Sequence, residues 1–233
     1  MKAPILITGC ARSGTSLVAG IINICGAFGG DMSGPNANNA KGMFENAAIR
    51  NKIVKPFYES LGVDRLGQYP LPNVNELVIP MNWKERVEDV FLEQGYQGGP
   101  WMYKGAKMCQ HWPVWQWAFP DAKWVIVRRK DEDIVNSCLR TGFMRAFRSG
   151  ATQKEIGVKN ESQGWLWWVQ QHKDRFREMQ DAGLNTTVIW PEKMVEGNYV
   201  QVKDMIEWLG LEWKEKEVVE FISPRLWKAR QKR

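Results

Sequence analysis

The first residues that could do chemistry form a short glycine-bounded segment, Gly9 to Ser16, with the sequence GCARSGTS. The apolar run at residues 4–9 (PILITG) predicts a buried strand, and the apolar positions after Thr15 predict a packed helix. Glycine lets the backbone turn tightly and bring several N–H groups toward one point. The N-terminus of the following helix adds positive potential there. A strand, a loop and a helix in this order therefore predict a cradle for an anion.

The spacing of this loop matches GxxxxGK[ST], the loop that binds the phosphates of nucleoside triphosphates. Thr15 stands where that pattern has lysine. Because the lysine reaches the β- and γ-phosphates, its replacement argues against hydrolysis of ATP or GTP. Arg12, inside the loop, is a cation that could replace it. We expect the loop to hold an anion smaller than a triphosphate.

A second strand-to-helix junction carries another candidate anion site. Residues 123–127 (KWVIV) predict a buried strand, Arg129 follows it, and Ser137 comes eight residues after Arg129. Open α/β sheets bind ligands at the carboxyl ends of their strands, and a guanidinium with a hydroxyl suits a phosphate. The alternative is that Arg129 pairs with a nearby carboxylate, Asp131 or Asp133.

Both junctions belong to an alternating series of predicted elements. The predicted strands are residues 4–9, 101–104, 123–127 and 186–190. The predicted helices are residues 15 to about 26, 45–61, 83 to a stop at 95, 112–119, 162–182 and 198–209, with one more that begins at Asp131 as its N-cap. This alternation predicts an α/β fold: a central parallel sheet flanked by helices in a three-layer sandwich like that of P-loop NTPases.

The length of 233 residues suffices for one sizeable core, and no internal repeat divides the chain. We therefore expect a single domain over residues 1–233, with a basic tail at about 225–233. Residues 62–80 and 143–159 show little pattern, and we expect the second segment to be a mobile lid. Trp165 and Trp168 share one face of a long predicted helix, which favours core packing.

The net charge of +6 comes almost wholly from the C-terminal end. The last nine residues hold five basic residues and no acid, and the remainder holds 27 basic and 26 acidic residues. A nearly neutral body disfavours nucleic-acid binding, so we expect no nucleic-acid partner. The basic tail is either an anion-binding patch or a solvated chain end.

Other features argue against metal, disulfide and membrane chemistry. The four cysteines have no CxxC spacing and the chain has two histidines, so no metal site is expected. Scattered cysteines in a chain of this length favour reduced, packed thiols. The sequence has no signal-peptide pattern and no run of about 18 apolar residues, so we expect a cytoplasmic protein without membrane contact.

Together, the two junctions resemble those of sulfotransferases that use 3'-phosphoadenosine 5'-phosphosulfate. In that family a P-loop-like loop binds the 5'-phosphosulfate and a later strand–Arg–helix–Ser module binds the 3'-phosphate. Residues 11–17 (ARSGTSL) resemble the first module, and Arg129 with Ser137 resembles the second. Similar segments are KGMFEN at 41–46, YK at 103–104, FPDAKWV at 119–125 and IEWLGL at 206–211. The resemblance spans about residues 4–211.

The resemblance implies that 3'-phosphoadenosine 5'-phosphosulfate is the donor and 3',5'-adenosine bisphosphate the product. It implies a 5'-phosphate site made by Arg12, Ser13, Gly14, Thr15, Ser16 and Leu17. It also implies a 3'-phosphate site made by Arg129 and Ser137. The family's glycine-rich C-terminal segment is not visible, and residues 223–228 (SPRLWK), with Arg225, are a candidate replacement.

The resemblance also suggests catalytic roles. Sulfuryl transfer makes demands similar to those of phosphoryl transfer, so Arg12 and Lys104 would neutralise charge on the transferring group. Ala106 stands where cytosolic members have a histidine, so a hydroxyl acceptor would need a carboxylate base. Glu45 is our candidate, although its place also suits a first-turn helix acid. Weaker candidates are Asp31 and His111.

The expected acceptor is a small molecule or a carbohydrate that offers a hydroxyl or an amine, and residues 62–80 and 143–159 are where we expect its specificity to be set. The oligomeric state is not indicated by the sequence. Two other functions fit parts of the pattern. One is a nucleoside or nucleotide kinase-like P-loop enzyme, which the missing lysine disfavours. The other is a non-catalytic nucleotide or nucleic-acid binding module, which the nearly neutral body disfavours.

Overall fold

A four-stranded parallel sheet forms the centre of the molecule in the computed structural model, which describes residues 1–37 and 39–228. The strands are β1 (Ile5–Gly9), β2 (Met102–Lys104), β3 (Lys123–Val127) and β4 (Thr186–Ile189). They lie in the order β2-β1-β3-β4, and every neighbouring pair is parallel. Parallel strands require crossover connections, which the helices provide. All four predicted strands are confirmed.

The helices connect the strands and cover both faces of the sheet. They are α1 (Thr15–Ile24), α2 (Lys55–Ser60), α3 (Trp83–Glu93), α4 (Trp112–Ala118), α5 (Asp131–Arg140), α6 (Gly150–Glu155), α7 (Glu161–Asp181), α8 (Pro191–Val195), α9 (Val200–Leu209), α10 (Glu215–Phe221) and α11 (Pro224–Lys228). A π-helical segment, Ile49–Val54, leads directly into α2. Short 3-10 turns lie at Val74–Glu76, Met108–His111 and Ala146–Arg148.

Two apolar layers pack against the sheet, one on each face. Leu6 and Trp124 contribute to the layer that contains α3, α4 and α7, whereas Ile7 and Val125 contribute to the layer that contains α1 and α9. Neighbouring strand residues point to opposite faces, so a strand covered on both sides must be apolar throughout. The predicted α/β three-layer sandwich is therefore confirmed. Trp165 and Trp168 are buried in the first layer, as predicted.

Three local expectations need correction. Asp131 is the first residue of α5 and not its N-cap; its carboxylate accepts from Lys173 Nζ at 2.8 Å. Residues 143–159 are not patternless, because they contain a 3-10 turn and α6, and Phe147 is fully buried. The predicted helix 45–61 is π-helical over Ile49–Val54, and Pro56 follows in α2, which continues that segment without a break. Periodicity missed the short helices α6, α8, α10 and α11.

The remaining sequence expectations concern thiols and membranes. All four cysteines are buried and free. Among the described residues, no helix combines the length and the hydrophobicity needed to cross a membrane.

Both histidines are fully buried and therefore resist protonation. Burial lowers the pKa of His111 to about 3 and that of His172 to about 4. His111 contacts the Tyr58 hydroxyl and accepts a hydrogen bond from Trp115 Nε1, whereas His172 Nδ1 bonds the carbonyl of Trp168. An unfolded chain would protonate each ring near pH 6.5.

We expect the protein to lose stability as the pH falls below 6.5, because the unfolded chain then takes up protons that the folded protein excludes. Each histidine costs about 1.4 kcal/mol per pH unit, or about 2 kcal/mol between pH 6.5 and 5. Urea unfolding at pH 7 and pH 5 measures the loss. In His172→Gln the loss should shrink by about 2 kcal/mol. An equal pH dependence in the variant and the wild type would contradict the prediction.

Candidate functional site

A cleft of about 380 Å³ lies where the segments after β1 and β2 converge. Its walls come mainly from residues 11–17 after β1, residues 104–107 at the end of β2, the loop 39–45 and the C-terminal residues 221–227. Open parallel sheets bind ligands at this edge because the segments that follow neighbouring strands meet there. The cleft is therefore the candidate functional site.

The loop after β1 has the geometry of an anion cradle. Arg12 and Gly14 have positive φ, 74° and 101°, which turns the chain sharply. Ser13 and Leu17 donate their N–H groups within the loop, to Cys10 O at 3.1 Å and Gly14 O at 2.9 Å. The N–H groups between them belong to the start of α1, where a helix has no internal acceptors. They are available to an anion.

Ser13 adds a polar atom to this loop. Its Oγ is buried and has no hydrogen-bond partner among the described residues. A buried hydroxyl without a partner costs about 1–3 kcal/mol. Ser13 is fully buried and is not among the residues that line the cleft, so its hydroxyl belongs to the interior of the loop.

The structure brings the two predicted anion modules into direct contact. Arg12 Nε donates to Ser137 Oγ at 3.0 Å, and Arg129 Nη1 donates to Arg12 O at 3.0 Å. Arg129 and Ser137 are buried, at 4% and 2% exposure. Hydrogen bonds from a buried guanidinium are worth about 1.5–3 kcal/mol each. Arg12, Arg129 and Ser137 thus form one connected unit.

Arg129 is held from several sides. Its guanidinium lies over the ring of Trp227 at 4.3 Å. Its Nε is 3.8 Å from Asp133 Oδ2. Asp133 is one of the two carboxylates that the sequence offered as partners for Arg129, so this ion pair is present together with the hydrogen bond to Arg12. Asp131 is instead engaged with Lys173. The guanidinium is therefore fixed in orientation, which is a requirement for bidentate recognition of a phosphate.

Glu192 is a neighbour of Arg129 that sequence reasoning missed. It lies on α8, directly after β4, and its Oε1 is 4.0 Å from Arg129 Nε. Burial raises its pKa, and neither carboxylate oxygen has a hydrogen-bond partner among the described residues. The sequence did offer one signal: Glu192 follows shortly after a predicted strand, and the residues that follow neighbouring parallel strands lie at the same edge of the sheet.

Lys104 and Glu45 form an ion pair in the lining of the cleft. Lys104 ends β2, is 5% exposed, and its Nζ lies 3.9 Å from Glu45 Oε2. Burial lowers the pKa of Lys104, and the neighbouring Glu45 carboxylate acts in the opposite direction. Glu45 Oε2 is also 3.8 Å from Arg50 Nη1. The carboxylate therefore lies between two cations, beside the loop that follows β1.

The segment that carries Glu45 is tied to the anion loop. Ser16 Oγ donates to Met43 O at 3.1 Å, and Ser33 N donates to Glu45 O at 2.9 Å. Phe44 has a φ of 51°, so the chain turns just before the carboxylate. The Ser16 side chain thus links the loop after β1 to the segment bearing Glu45.

Six expected site residues do not line the cleft. Ser13, Arg129 and Ser137 are buried within the two modules, and the other three lie elsewhere. His111 is fully buried among aromatic rings and does not line the cleft, which removes it as a base. Asp31 is exposed and is not among the lining residues. Arg225 is also exposed and outside the lining; from its segment the cleft receives Ser223 and two hydrophobic side chains, Leu226 and Trp227. The tail residues 229–233 lie outside the described residues.

Sequence reasoning missed three cations that line the cleft beyond Glu45: Arg50, Lys55 and Lys107. Arg50 and Lys55 follow Glu45 within the predicted helix 45–61, and Lys107 follows Lys104 by three residues. All three lie close in sequence to Glu45 or Lys104, which the sequence had singled out. Only the folded structure shows that all three line the same cleft.

The chain is similar in fold to three solved sulfotransferases. STF9 from Mycobacterium avium has a TM-score of 0.51 and 14% sequence identity, and the match covers 99% of this chain and 69% of STF9. The sulfotransferase domain from the curacin biosynthetic pathway has a TM-score of 0.56 and 13% identity, with 96% of this chain and 78% of that domain covered. STF1 from Mycobacterium tuberculosis H37Rv has a TM-score of 0.52 and 12% identity, with 99% of this chain and 76% of STF1 covered. These likenesses establish a sulfotransferase-type α/β sandwich. No family model matches the chain, and no curated protein is similar enough to count as a relative.

We expect Gly9→Ala to disrupt the loop after β1. An added Cβ would lie 2.5 Å from Val127 O, a backbone atom of β3 that cannot move easily. The overpacking should cost about 1–3 kcal/mol in urea unfolding. Gly34→Ala is the matched control, since a Cβ there meets nothing within 4 Å. Equal stability of the two variants would show that β1 and β3 do not approach so closely.

Proposed function

We propose that the protein is a sulfotransferase that moves a sulfuryl group from 3'-phosphoadenosine 5'-phosphosulfate to an acceptor hydroxyl or amine. The observation that carries the proposal is the connection of two anion modules through Arg12, which bonds Ser137 by its side chain and Arg129 by its carbonyl. A donor with a 5'-phosphosulfate and a 3'-phosphate presents two anionic ends to two such modules. The similarity in fold to solved sulfotransferases supports the same function.

The residues at the two modules fit the two ends of this donor. On the 5' side, the open N–H groups of Gly14, Thr15 and Ser16, with Arg12, would hold the phosphosulfate, and Leu17 lines the same wall. Ser13 belongs to the same loop, but its side chain does not line the cleft and its N–H donates to Cys10 O. On the 3' side, Arg129 and Ser137 would hold the phosphate. The donor supplies an activated sulfuryl group, and the protein supplies position and charge.

Lys104 and Arg12 would stabilise the charge that develops during transfer. Lys104 is buried, so its ammonium acts in a weakly screened environment. A cation preorganised in this way contributes about 3 kcal/mol, or about 100-fold in rate. Because the side chain is held at the end of a strand and faces Glu45, little reorganisation is needed when charge develops.

Glu45 would take the proton of the acceptor hydroxyl. Its carboxylate is placed beside Lys104, so an acceptor oxygen that approaches the transferring group passes within its reach. Ala106, which lines the same cleft, carries no group that could do this. The Ser33 hydrogen bond to the Glu45 carbonyl holds the backbone at this position.

Calorimetric titration with 3',5'-adenosine bisphosphate, without added metal, tests the donor site. We expect tight binding that weakens about 10- to 100-fold in Arg129→Ala, because a charged hydrogen-bond donor to the 3'-phosphate is lost. Lys130→Ala is the matched control, since Lys130 is an exposed cation next in the chain. Absence of binding by folded protein, or stronger binding of ATP than of the bisphosphate, would refute the sulfotransferase assignment.

Variants of the two central residues test the chemical step. Glu45→Gln should lower transfer by about 100-fold or more, and Lys104→Ala by about 100-fold, while bisphosphate affinity in Glu45→Gln stays within about threefold of the wild type. Release of 3',5'-adenosine bisphosphate in the presence of phenolic and sugar acceptors measures transfer. Glu59→Gln, an exposed carboxylate paired with Arg65, is the control. Unchanged turnover in Glu45→Gln would remove Glu45 as the base.

A further inference from the structure

The cleft wall carries far more positive than negative charge. Its charged lining residues are Glu45 on the negative side and, on the positive side, Arg12, Lys41, Arg50, Lys55, Lys104 and Lys107. The donor modules account for Arg12 and Lys104. Lys41 is engaged with the carbonyl of Phe221 at the C-terminal wall. The three remaining cations, Arg50, Lys55 and Lys107, belong to neither donor module. Lys55 bonds Asn51 Oδ1 at 2.8 Å and Lys107 bonds the carbonyl of Arg65, but neither contact neutralises the charge.

These three cations lie at the end of the cleft away from the donor modules. Contacts define the order: Arg12 bonds Ser137 of the second module, whereas Lys107 packs against Gly67 and the Tyr58 ring. Glu45 Oε2 lies 3.9 Å from Lys104 Nζ and 3.8 Å from Arg50 Nη1, between the two groups of cations. A donor held at the Arg12 end leaves the Lys107 end to the acceptor.

Lys107 is fixed at this end. Its ammonium lies 4.6 Å from the centre of the Tyr58 ring and donates to the carbonyl of Arg65. Burial is the main reason that its pKa falls to about 8; Lys55 and Arg50 also lower the pKa, and Glu45 and Asp64 oppose them. The cations therefore repel one another at close range. Such repulsion is relieved when an anion binds among them.

Arg50 provides a second indication of a ligand. Its Nε is buried and has no hydrogen-bond partner among the described residues, and its Nη1 is 3.8 Å from Glu45 Oε2. A guanidinium N–H left unpaired in a buried position is costly. An anionic group placed between Arg50 and Lys107 would satisfy it.

An apolar wall faces these cations. Leu66 and Phe143 line the cleft with 46% and 41% of their surfaces exposed. They belong to the irregular segments 62–80 and 143–159, in which acceptor specificity was expected. Trp168 Nε1 donates to Gly67 O at 2.9 Å and holds this wall beside Lys107. Large exposed apolar side chains beside a charged site suit a ring that carries an anionic group.

We propose that Arg50, Lys55 and Lys107 form an acceptor subsite for an anionic group, so that the acceptor is a hydroxyl or amine compound that also bears a phosphate, sulfate or carboxylate next to an apolar ring. The assignment of this group to the acceptor rests on the proposed sulfotransferase function. The anion site itself rests only on the three cations and the wall they share.

Calorimetric titration with phenyl phosphate and with benzoate, each into protein saturated with 3',5'-adenosine bisphosphate, tests the subsite. Phenol is the neutral control. We expect at least one of the two anions to bind, phenol to bind at least tenfold more weakly, and Arg50→Gln and Lys107→Gln each to weaken the anion at least tenfold. Lys55→Gln should weaken binding of the anion several-fold. Because Lys55 is half-exposed, this substitution is not expected to disturb folding. Lys52→Gln, an exposed lysine on the same helical segment outside the cleft, should leave binding of the anion within twofold.

The outcomes separate the subsite from the donor assignment. Bisphosphate binding without binding of either anion, or anion binding that all variants retain, overturns the subsite and leaves the donor site standing. Anion binding that disappears when the bisphosphate is present also overturns it, because the anion then occupies the donor modules. Failure of the bisphosphate to bind, together with anion binding that depends on Arg50 and Lys107, upholds the anion site and removes the sulfotransferase function.

Discussion

The parallel pairing of β1 with β3 is the constraint on which the site depends. Ile5 pairs with Lys123 and Gly9 pairs with Val127, so the two strands end side by side. The segments that follow them therefore begin at the same edge of the sheet. Gly9 is required there because a Cβ would meet the backbone of β3. The close approach lets the Arg129 guanidinium reach the Arg12 carbonyl. Without that register, the two candidate anion modules would be separate turns and would not be in contact.

The cleft concentrates positive charge in a partly desolvated space, and this has an energetic cost that the fold must offset. Lys104 and Lys107 both have pKa values lowered chiefly by burial, so their charged forms are less stable there than in water. One carboxylate, Glu45, lies among the cations that line the cleft. Burying charges without full compensation is typical of sites arranged for anionic ligands, which supply the missing charge when they bind.

Large aromatic side chains form the support behind the cleft. Trp83 and Trp115 pack edge to face with ring centroids 5.5 Å apart, and Tyr103 stacks on Trp115 at 4.9 Å. Tyr103 immediately precedes Lys104, so this packing fixes the end of β2 and the direction of the lysine. Each such pair adds about 0.5–1.5 kcal/mol beyond simple burial. These three rings therefore support the end of β2 from behind and do not line the cleft.

By itself, the sequence determined the four strands, the long helices and the two strand-end modules. Apolar runs and helical periodicity are local properties, and the spacing in residues 9–16 encodes a turn that glycine makes possible. Short helices such as α8 are too brief to show a period, so Glu192 was not found. Residues 223–228 were a candidate segment, but the sequence pointed to Arg225, whereas Trp227 is the residue that lines the cleft and lies against Arg129. The gathering of Arg50, Lys55 and Lys107 around Glu45 depends on contacts between residues far apart in the chain. Only tertiary packing could decide it, because the direction in which a charged side chain points leaves no mark on local sequence pattern.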